Sequence, residues 1–327
     1  MAKQPIWRDY YANGGHEDSC QFRIWADYTE VYHGRAYRKP TDANIRIRMN
    51  DICADYISHK FPDISKIFNP NPLVLFRLDV MVDGVWEEYD DVEFFNDWSH
   101  EYDFNPFSKG LSCPVNGRFV LGTPLPYSVL KASELEIEMG GGLWYVYPSN
   151  QVAGTYMLDF TKDEVNGNYL LQPDDKVSIF EGGHDLVQDY TCVSSCARYA
   201  LYYRNAYGGI DLLLMEGNHA ESDNLTRHTR EMEYDNNNIS NRGRYNYVNE
   251  LSKSLTLHTS WLSDEESSRM HHLLNSTEVY LFDIKEQKMI PVLLSNTTTE
   301  YKTYKGNGGK LVNYAIQVTL ANDRIRR

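Results

Sequence analysis

The stretch QFRIWADYTEVYHGRAY, residues 21–37, decides the class of fold. Phe22, Ile24, Ala26 and Tyr28 alternate with Gln21, Arg23, Trp25 and Asp27. That period of two turns one face of a strand toward a core and the other toward water. Residues 31–37 read as a tight turn at His33-Gly34 between two further strands, since glycine reaches the backbone conformations a hairpin needs. Outward from this stretch the same period recurs. Ile45, Ile47 and Met49 alternate with Arg46 and Arg48, and Leu73 to Val82 with Val85 to Tyr89 form a predicted hairpin around Asp83-Gly84. Asn50 or Asp51 is placed to cap a short helix over Ile52 to Ile57.

Between Asn96 and Tyr127 the pattern breaks, with prolines at 114, 124 and 126 and the turn pairs Asn105-Pro106 and Asn116-Gly117. Strand periods resume at Glu134 to Met139, turn through Gly140-Gly141-Gly142 into Leu143 to Tyr147, and continue over Tyr156 to Phe160, Tyr169 to Leu171 and Val177 to Phe180. Ala197 to Tyr203, a turn over 204–209, and Ile210 to Met215 read as strand, turn and strand. Residues 217–246 are polar and Asn-rich, which suggests a long loop or a protruding hairpin. Ser263-Asp264-Glu265-Glu266 is a capping box, with Ser263 as N-cap and Glu266 at the third helical position. The helix it starts carries Met270, Leu273 and Leu274 on one face and is expected to end near Asn275. Val279 to Ile284, Met289 to Leu294 and a last strand bearing Val312, Tyr314, Ile316, Val318 and Leu320 on one side complete the chain. The expected class is mainly β: two β-sandwich or split-barrel-like domains with one or two short helices. The first spans 1–190, with the irregular stretch 96–127. The second spans 191–327, with the polar insert 217–246 and the short helix 264–274.

Composition narrows the function. The 327 residues, 42% hydrophobic, suffice for packed cores, and a formal charge of −14 argues against a protein that grips nucleic-acid phosphates. No apolar run approaches the ~18 residues of a spanning helix. The first twenty residues hold no hydrophobic signal core, so the chain is expected to stay in the cytoplasm where it is made, or to leave it as part of a larger object. Five cysteines, odd in number and mostly far apart, read as free thiols in a reducing compartment. Residues 51–200 hold 9 Lys+Arg against 24 Asp+Glu, whereas residues 301–327 hold 6 against 1. An acidic middle with basic ends is either a solvated face with a basic tail or a pair of complementary surfaces.

Candidate chemistry is sparse. Cys192 and Cys196 lack a second ligand pair, His271-His272 point about 100° apart on their helix, and Glu181-Gly182-Gly183-His184-Asp185 resembles a metal-binding turn only loosely. Glu87-Glu88 and Asp90-Asp91 supply carboxylates of the kind glycoside hydrolysis uses, but read as the exposed side of a hairpin. The triple glycine lacks the Lys-Ser or Lys-Thr of a phosphate loop, and no nucleophile-elbow or zinc-protease motif is present. The expectation is no enzyme, no cofactor and no metal. With 25 tyrosines and 6 tryptophans, the chain is suited to contact surfaces.

Four segments carry a resemblance. They are Val31 to Tyr37 with Ile45 to Tyr56; Asp97-Trp98-Ser99 through Leu111-Ser112-Cys113-Pro114-Val115-Asn116-Gly117; Tyr202-Tyr203-Arg204-Asn205-Ala206-Tyr207-Gly208-Gly209-Ile210-Asp211; and Trp261-Leu262-Ser263 with its helix, Asn275-Ser276, Val279-Tyr280 and Pro291-Val292. As loose patterns over most of the chain, they resemble tail and baseplate structural proteins of tailed phages and prophages of gut Bacteroides-type bacteria, nearest to the distal-tail subunits. The resemblance implies β-sandwich or split-barrel units assembled as a hexameric ring. Its partners would be copies of itself and other tail or baseplate proteins, without direct nucleic-acid binding or membrane insertion, and its place would be the virion tail, assembled in the host bacterial cytoplasm. Tyr203, Tyr207, Arg324, Arg326 and Arg327 are the expected interface residues, and the 217–246 segment is an expected arm. The alternatives are a carbohydrate-binding module or receptor-binding tail protein, and a glycosidase.

Overall fold

The computed structural model describes residues 7–10, 19–39, 45–49, 52–53, 56, 61–70, 74–82, 85–94, 111, 116–129, 135–139, 143–147, 154–161, 171–181, 187–194, 196–232, 243–295, 312–321 and 325–326. The chain is mainly β, with several antiparallel sheets and one long-enough helix among these residues.

Strands β1 (Trp7–Tyr10) and β4 (Ile45–Arg48) pair with each other, while β2 (Ser19–Ala26), β3 (Thr29–Tyr37), β6 (Val74–Val82) and β7 (Val85–Phe94) form a sheet in the order β3-β2-β6-β7. The alternation seen in sequence is the alternation in space: Cys20, Phe22 and Ile24 are buried with Phe76, Leu78 and Val80 against Ile45, Ile47 and Met49. Each such side chain contributes roughly 1.5–3 kcal/mol by leaving water. Val82 pairs Val85, so the 83–84 hairpin falls where it was expected, though those two residues lie outside the described ones. The turn expected at His33-Gly34 is elsewhere. Chain reversal occurs at Asp27-Tyr28, both at positive φ (42° and 72°), the two-residue loop whose twist matches its strands. β3 runs straight through Gly34, where a Cβ would stand 2.6 Å from the Tyr32 ring, so the glycine makes room for an aromatic rather than for a turn. Of the short helix expected over 52–57, Ile52 and Cys53 are helical and the Cys53 N–H donates to Met49 O at 2.9 Å; the rest lies outside the described residues apart from Tyr56.

A second group of strands surrounds the largest core. β5 (Phe68–Pro70), β12 (Gly154–Leu158) and β9 (Leu125–Val129) form one sheet in the order β5-β12-β9. A five-stranded sheet has the order β11-β10-β13-β14-β8, made of β8 (Gly117–Phe119), β10 (Leu135–Met139), β11 (Leu143–Tyr147), β13 (Lys176–Glu181) and β14 (Val187–Cys192). Met139 pairs Leu143 across the triple glycine, as a hairpin requires.

The last sheet has eight strands: β15 (Tyr199–Arg204), β16 (Ile210–Met215), β17 (His219–Glu231), β18 (Arg244–His258), β19 (Val279–Asp283), β20 (Lys288–Leu294), β21 (Ala315–Leu320) and β22 (Ile325–Arg326). Its order is β16-β15-β19-β20-β21-β18-β17, with β22 also on β18. β15 and β16 are buried on both faces, which is why YALYYR and IDLLLM show no alternation of apolar with polar residues. Ala200, Tyr202, Leu212, Leu214 and Phe282 face the core that also holds Phe119 to Cys192. Leu201, Tyr203, Leu213 and Leu281 face the other core, closed by helix α1 (Asp264–Leu274) through Met270 and Leu273. The largest core draws side chains from both sides of position 190, and Phe61, Ile64, Ile67 and Phe68 pack against it as well. The capping box is formed as expected, the Ser263 N–H donating to Glu266 Oε2 at 2.8 Å and the Glu266 N–H to Ser263 Oγ at 3.2 Å, and the helix ends at Asn275 as C-cap.

Candidate functional site

Of the expected interface residues, Tyr203, Tyr207 and Arg326 are described. Tyr203 is wholly buried, its hydroxyl donating to Arg269 O at 3.4 Å, so it is a core residue and not a contact surface of the chain. An unbroken apolar run on a two-sided strand hides every side chain, which composition cannot reveal. Tyr207 is half-buried with its ring 5.3 Å from His272. Arg326 stands opposite Glu250 in the β22–β18 pairing, so the basic end of the chain is docked on its own sheet there; Arg324 and Arg327 lie outside the described residues.

The described residues of the 217–246 segment, 217–232 and 243–246, belong to a protruding hairpin. β17 and the first half of β18 extend past the sheet as a two-stranded arm, and every residue of the 13 in β17 is exposed. The arm is registered by cross-strand contacts: the Ser222 and Ser254 hydroxyls are 2.7 Å apart, Asn224 Nδ2 donates to Ser254 Oγ at 3.2 Å, and Glu231 pairs with Arg244. At its base the Tyr199 hydroxyl donates to Glu221 Oε1 at 3.3 Å, and burial holds that phenol above its usual pKa. A register shift between His228 and Thr229 twists the outer part. Leu225, 46% exposed, pairs with Leu251 on the face whose inner end packs Leu255 and Leu257 into the core.

A second surface, missed in the sequence, lies on the outer face of the β3-β2-β6-β7 sheet. Asp79, 2% exposed, accepts from Arg23 Nε at 2.7 Å and from Trp25 Nε1 at 2.8 Å, and Arg77 Nε lies 3.0 Å from its other oxygen. Arg23 is stacked between two indoles, 4.8 Å from Trp25 and 4.6 Å from Trp86, and Arg77 sits 5.0 Å from Trp25. The alternation at Gln21, Arg23 and Trp25 was the only signal for it; the pairing that brings Arg77 and Asp79 opposite Trp25 and Arg23 is long-range.

A cleft of about 290 Å³ lies between the 61–67 loop with β5 and β15–β16, with Asp63, Lys66, Asn69, Thr155 and Arg204 on its walls. The loop is held by its own amides: Asp63 accepts from the Ser65 N–H and hydroxyl at 3.0 and 2.7 Å, which lowers its pKa, and Asn69 bonds back to the Asp63 backbone. Arg204 is engaged by Glu278 at 2.9 Å and by Gly208 O at 2.9 Å. Beside it Asn205, fully buried, accepts from the Tyr207 and Gly209 N–H groups and donates to Leu111 O and Asp211.

The weaker candidates are placed as follows. His272 Nδ1 accepts from the Ala206 N–H at 3.1 Å, Cys192 is buried and Cys196 exposed, and Glu88 lies 3.6 Å from Arg77. Glu181 is buried, while residues 182–185 lie outside the described ones. Among the described residues no group of three or more His, Cys, Asp or Glu is arranged to hold a metal ion, and no helix is long and apolar enough to cross a membrane. No protein-family model matches the chain, and comparison with curated proteins and with solved structures finds no match.

Proposed function

We propose that the chain is a structural subunit of a phage tail or baseplate, of the distal-tail type, which assembles as a ring and joins the tail tube to tip or fibre proteins. The observation that carries this reading is the arm: a β-ribbon, exposed along the whole of β17, projecting from a mainly-β body, with an open outer edge that suits contact with other chains. The acidic middle of the chain and its basic C-terminal end favour salt-sensitive contacts between copies. In this reading the subunit is made in the host bacterial cytoplasm and ends in the virion tail, performs no catalysis, needs no cofactor, and neither binds nucleic acid directly nor enters a membrane. Its partners are copies of itself, six to a ring, and neighbouring tail or baseplate proteins. Light scattering of the purified chain across concentration and salt tests it. A particle of six times 38.0 kDa that weakens with salt supports the ring, and a 38.0 kDa species throughout, alone and with tail-tube protein added, overturns it.

A glycan-binding or receptor-binding role is the second reading, favoured by Trp261, which is 60% exposed. Trp25 and Trp86 serve it poorly, because guanidinium groups already cover their faces. Loss of oligosaccharide binding in Trp261→Ala is the expected result under this reading; unchanged binding removes it.

A further inference from the structure

The outer edge of β17 is unpaired among the described strands, since β17 ends the order of its sheet. Its sequence, HAESDNLTRHTRE, is complementary to itself when read backwards about its centre. Two copies aligned antiparallel with Leu225 facing Leu225 set Asp223 against Arg227 and His219 against Glu231, each twice, with Ser222 against His228 and Ala220 against Arg230. We infer that β17 pairs along its edge with β17 of a second copy of this chain, about a two-fold axis at Leu225.

The register is selective. Centring the pair on Thr226 puts Glu221 against Glu231, and centring it on Arg227 puts Asp223 against Glu231, both like-charge contacts that disfavour a strand pair. Centring it on Asn224 keeps one opposite-charge pair, Glu221 with Arg227, but sets Leu225 against Asp223. Only the Leu225 centre combines the Asp223–Arg227 ion pairing with an apolar middle and no like-charge contact. Residues directly opposed in an antiparallel pair share a face, so the leucines align as well. Leu225 already pairs with Leu251, and the joined ribbon carries the row Leu251, Leu225, Leu225, Leu251 across four strands. Ile325 stands opposite Leu251 on the far side of β18, which continues the apolar row by register to six strands. The half-exposed Leu225 thereby leaves water, and the outward N–H and C=O groups of β17 gain partners. Because the bodies lie at opposite ends of the paired arms, the contact needs no rearrangement of either core. The inference goes beyond the tail reading: a two-fold joint is not the head-to-tail contact that closes a ring, so it links two rings or two single chains alike.

The test uses the full chain. Arg227→Asp is the main variant, because the residue facing Arg227 within its own hairpin is the neutral Asn249, so the arm itself keeps its register. Two attractive contacts become two repulsive ones, and the dissociation constant of the pair should rise roughly thirty-fold. Combining it with Asp223→Arg should restore association. In a Cys196→Ser background, Leu225→Cys should give a disulfide-linked dimer under mild oxidation, since directly opposed residues have Cα atoms ~4.5–5.5 Å apart, within disulfide reach. Ser222→Cys should not, because its counterpart in the second copy sits about 20 Å along the strand. If Arg227→Asp halves a twelve-chain particle to six, both this joint and the ring stand. A dimer of twice 38.0 kDa that falls to a single chain supports the joint and removes the ring. A hexamer indifferent to Arg227→Asp, or an uncross-linked Leu225→Cys chain at 38.0 kDa, overturns the joint.

Discussion

Asn205 offers a sharp test of how the turn between β15 and β16 is held. Its side chain is fully buried and makes four hydrogen bonds: two accepted from the Tyr207 and Gly209 N–H groups at 2.9 and 3.0 Å, and two donated to Leu111 O at 2.7 Å and Asp211 Oδ2 at 3.0 Å. Asn205→Ala strips partners from buried groups. With about 1 kcal/mol for each neutral bond and about 2 for the one to a carboxylate, the expected loss is about 5 kcal/mol. That is a large part of the 5–15 kcal/mol that holds typical domains folded. Asn205→Asp separates hydrogen bonding from packing. The shape and the two accepted bonds are kept, but an oxygen now faces Leu111 O and Asp211 where a donor stood. At pH 7 this variant should be at least as unstable as the alanine. Two facing carboxylates hold a shared proton above the ordinary carboxyl range, so the folded variant binds more protons than its unfolded chain. Its stability is therefore present at low pH and lost as pH rises through the folded value: acidification from pH 7 to 5 should recover part of the deficit. Urea unfolding followed by tryptophan fluorescence at both pH values measures this. A loss under 1 kcal/mol in the alanine variant, or a pH profile of the aspartate variant parallel to wild type, would refute the reasoning.

Four further outcomes are expected. Asp79→Asn weakens the ion pairs of Arg23 and Arg77, which are partly open to solvent, and should cost about 2 kcal/mol of unfolding free energy, read by the shift of the urea midpoint. Ser263→Ala removes the N-cap and should cost about 1 kcal/mol, with Ser263→Asp close to wild type in the same assay. Of Cys20, Cys53, Cys192 and Cys196, only the exposed Cys196 should react quickly with maleimide at pH 8, mapped by peptide mass. Burial pushes the Cys53 thiol from 9.0 up to about 12, so its contribution to stability is complete below pH 9 and is lost as pH climbs toward 12. Alkaline unfolding should begin at higher pH in Cys53→Ala than in wild type; an unchanged alkaline limb would contradict this.

How much was legible depended on the range of the interactions concerned. Features built from neighbours in sequence were readable. The capping box at Ser263 needs only residues three apart, and the helix runs from Asp264 to Leu274 as its pattern required. The alternation of Phe22 with Arg23 placed β2, and the polar composition of 217–246 pointed to its protrusion, because a segment with few apolar side chains has little to bury. The turn at Asp27-Tyr28 was missed because neither residue is glycine, and a strong twist match carried two side chains into positive φ.

The amino-acid sequence by itself determined that this protein is mainly β, where its capped helix lies and which segment stands away from the body, since period, capping and polarity act over a few residues. Tertiary structure alone decided that β15 and β16 are buried on both faces, that one core joins residues from both sides of position 190, and that Tyr203 is interior. It also decided that Asp79 gathers Arg23, Trp25 and Arg77 on one face, and that Glu250 and Leu251 receive the C-terminal strand. Those outcomes depend on which strands become neighbours, and strand pairing joins residues scores of positions apart that carry no mutual mark in the chain.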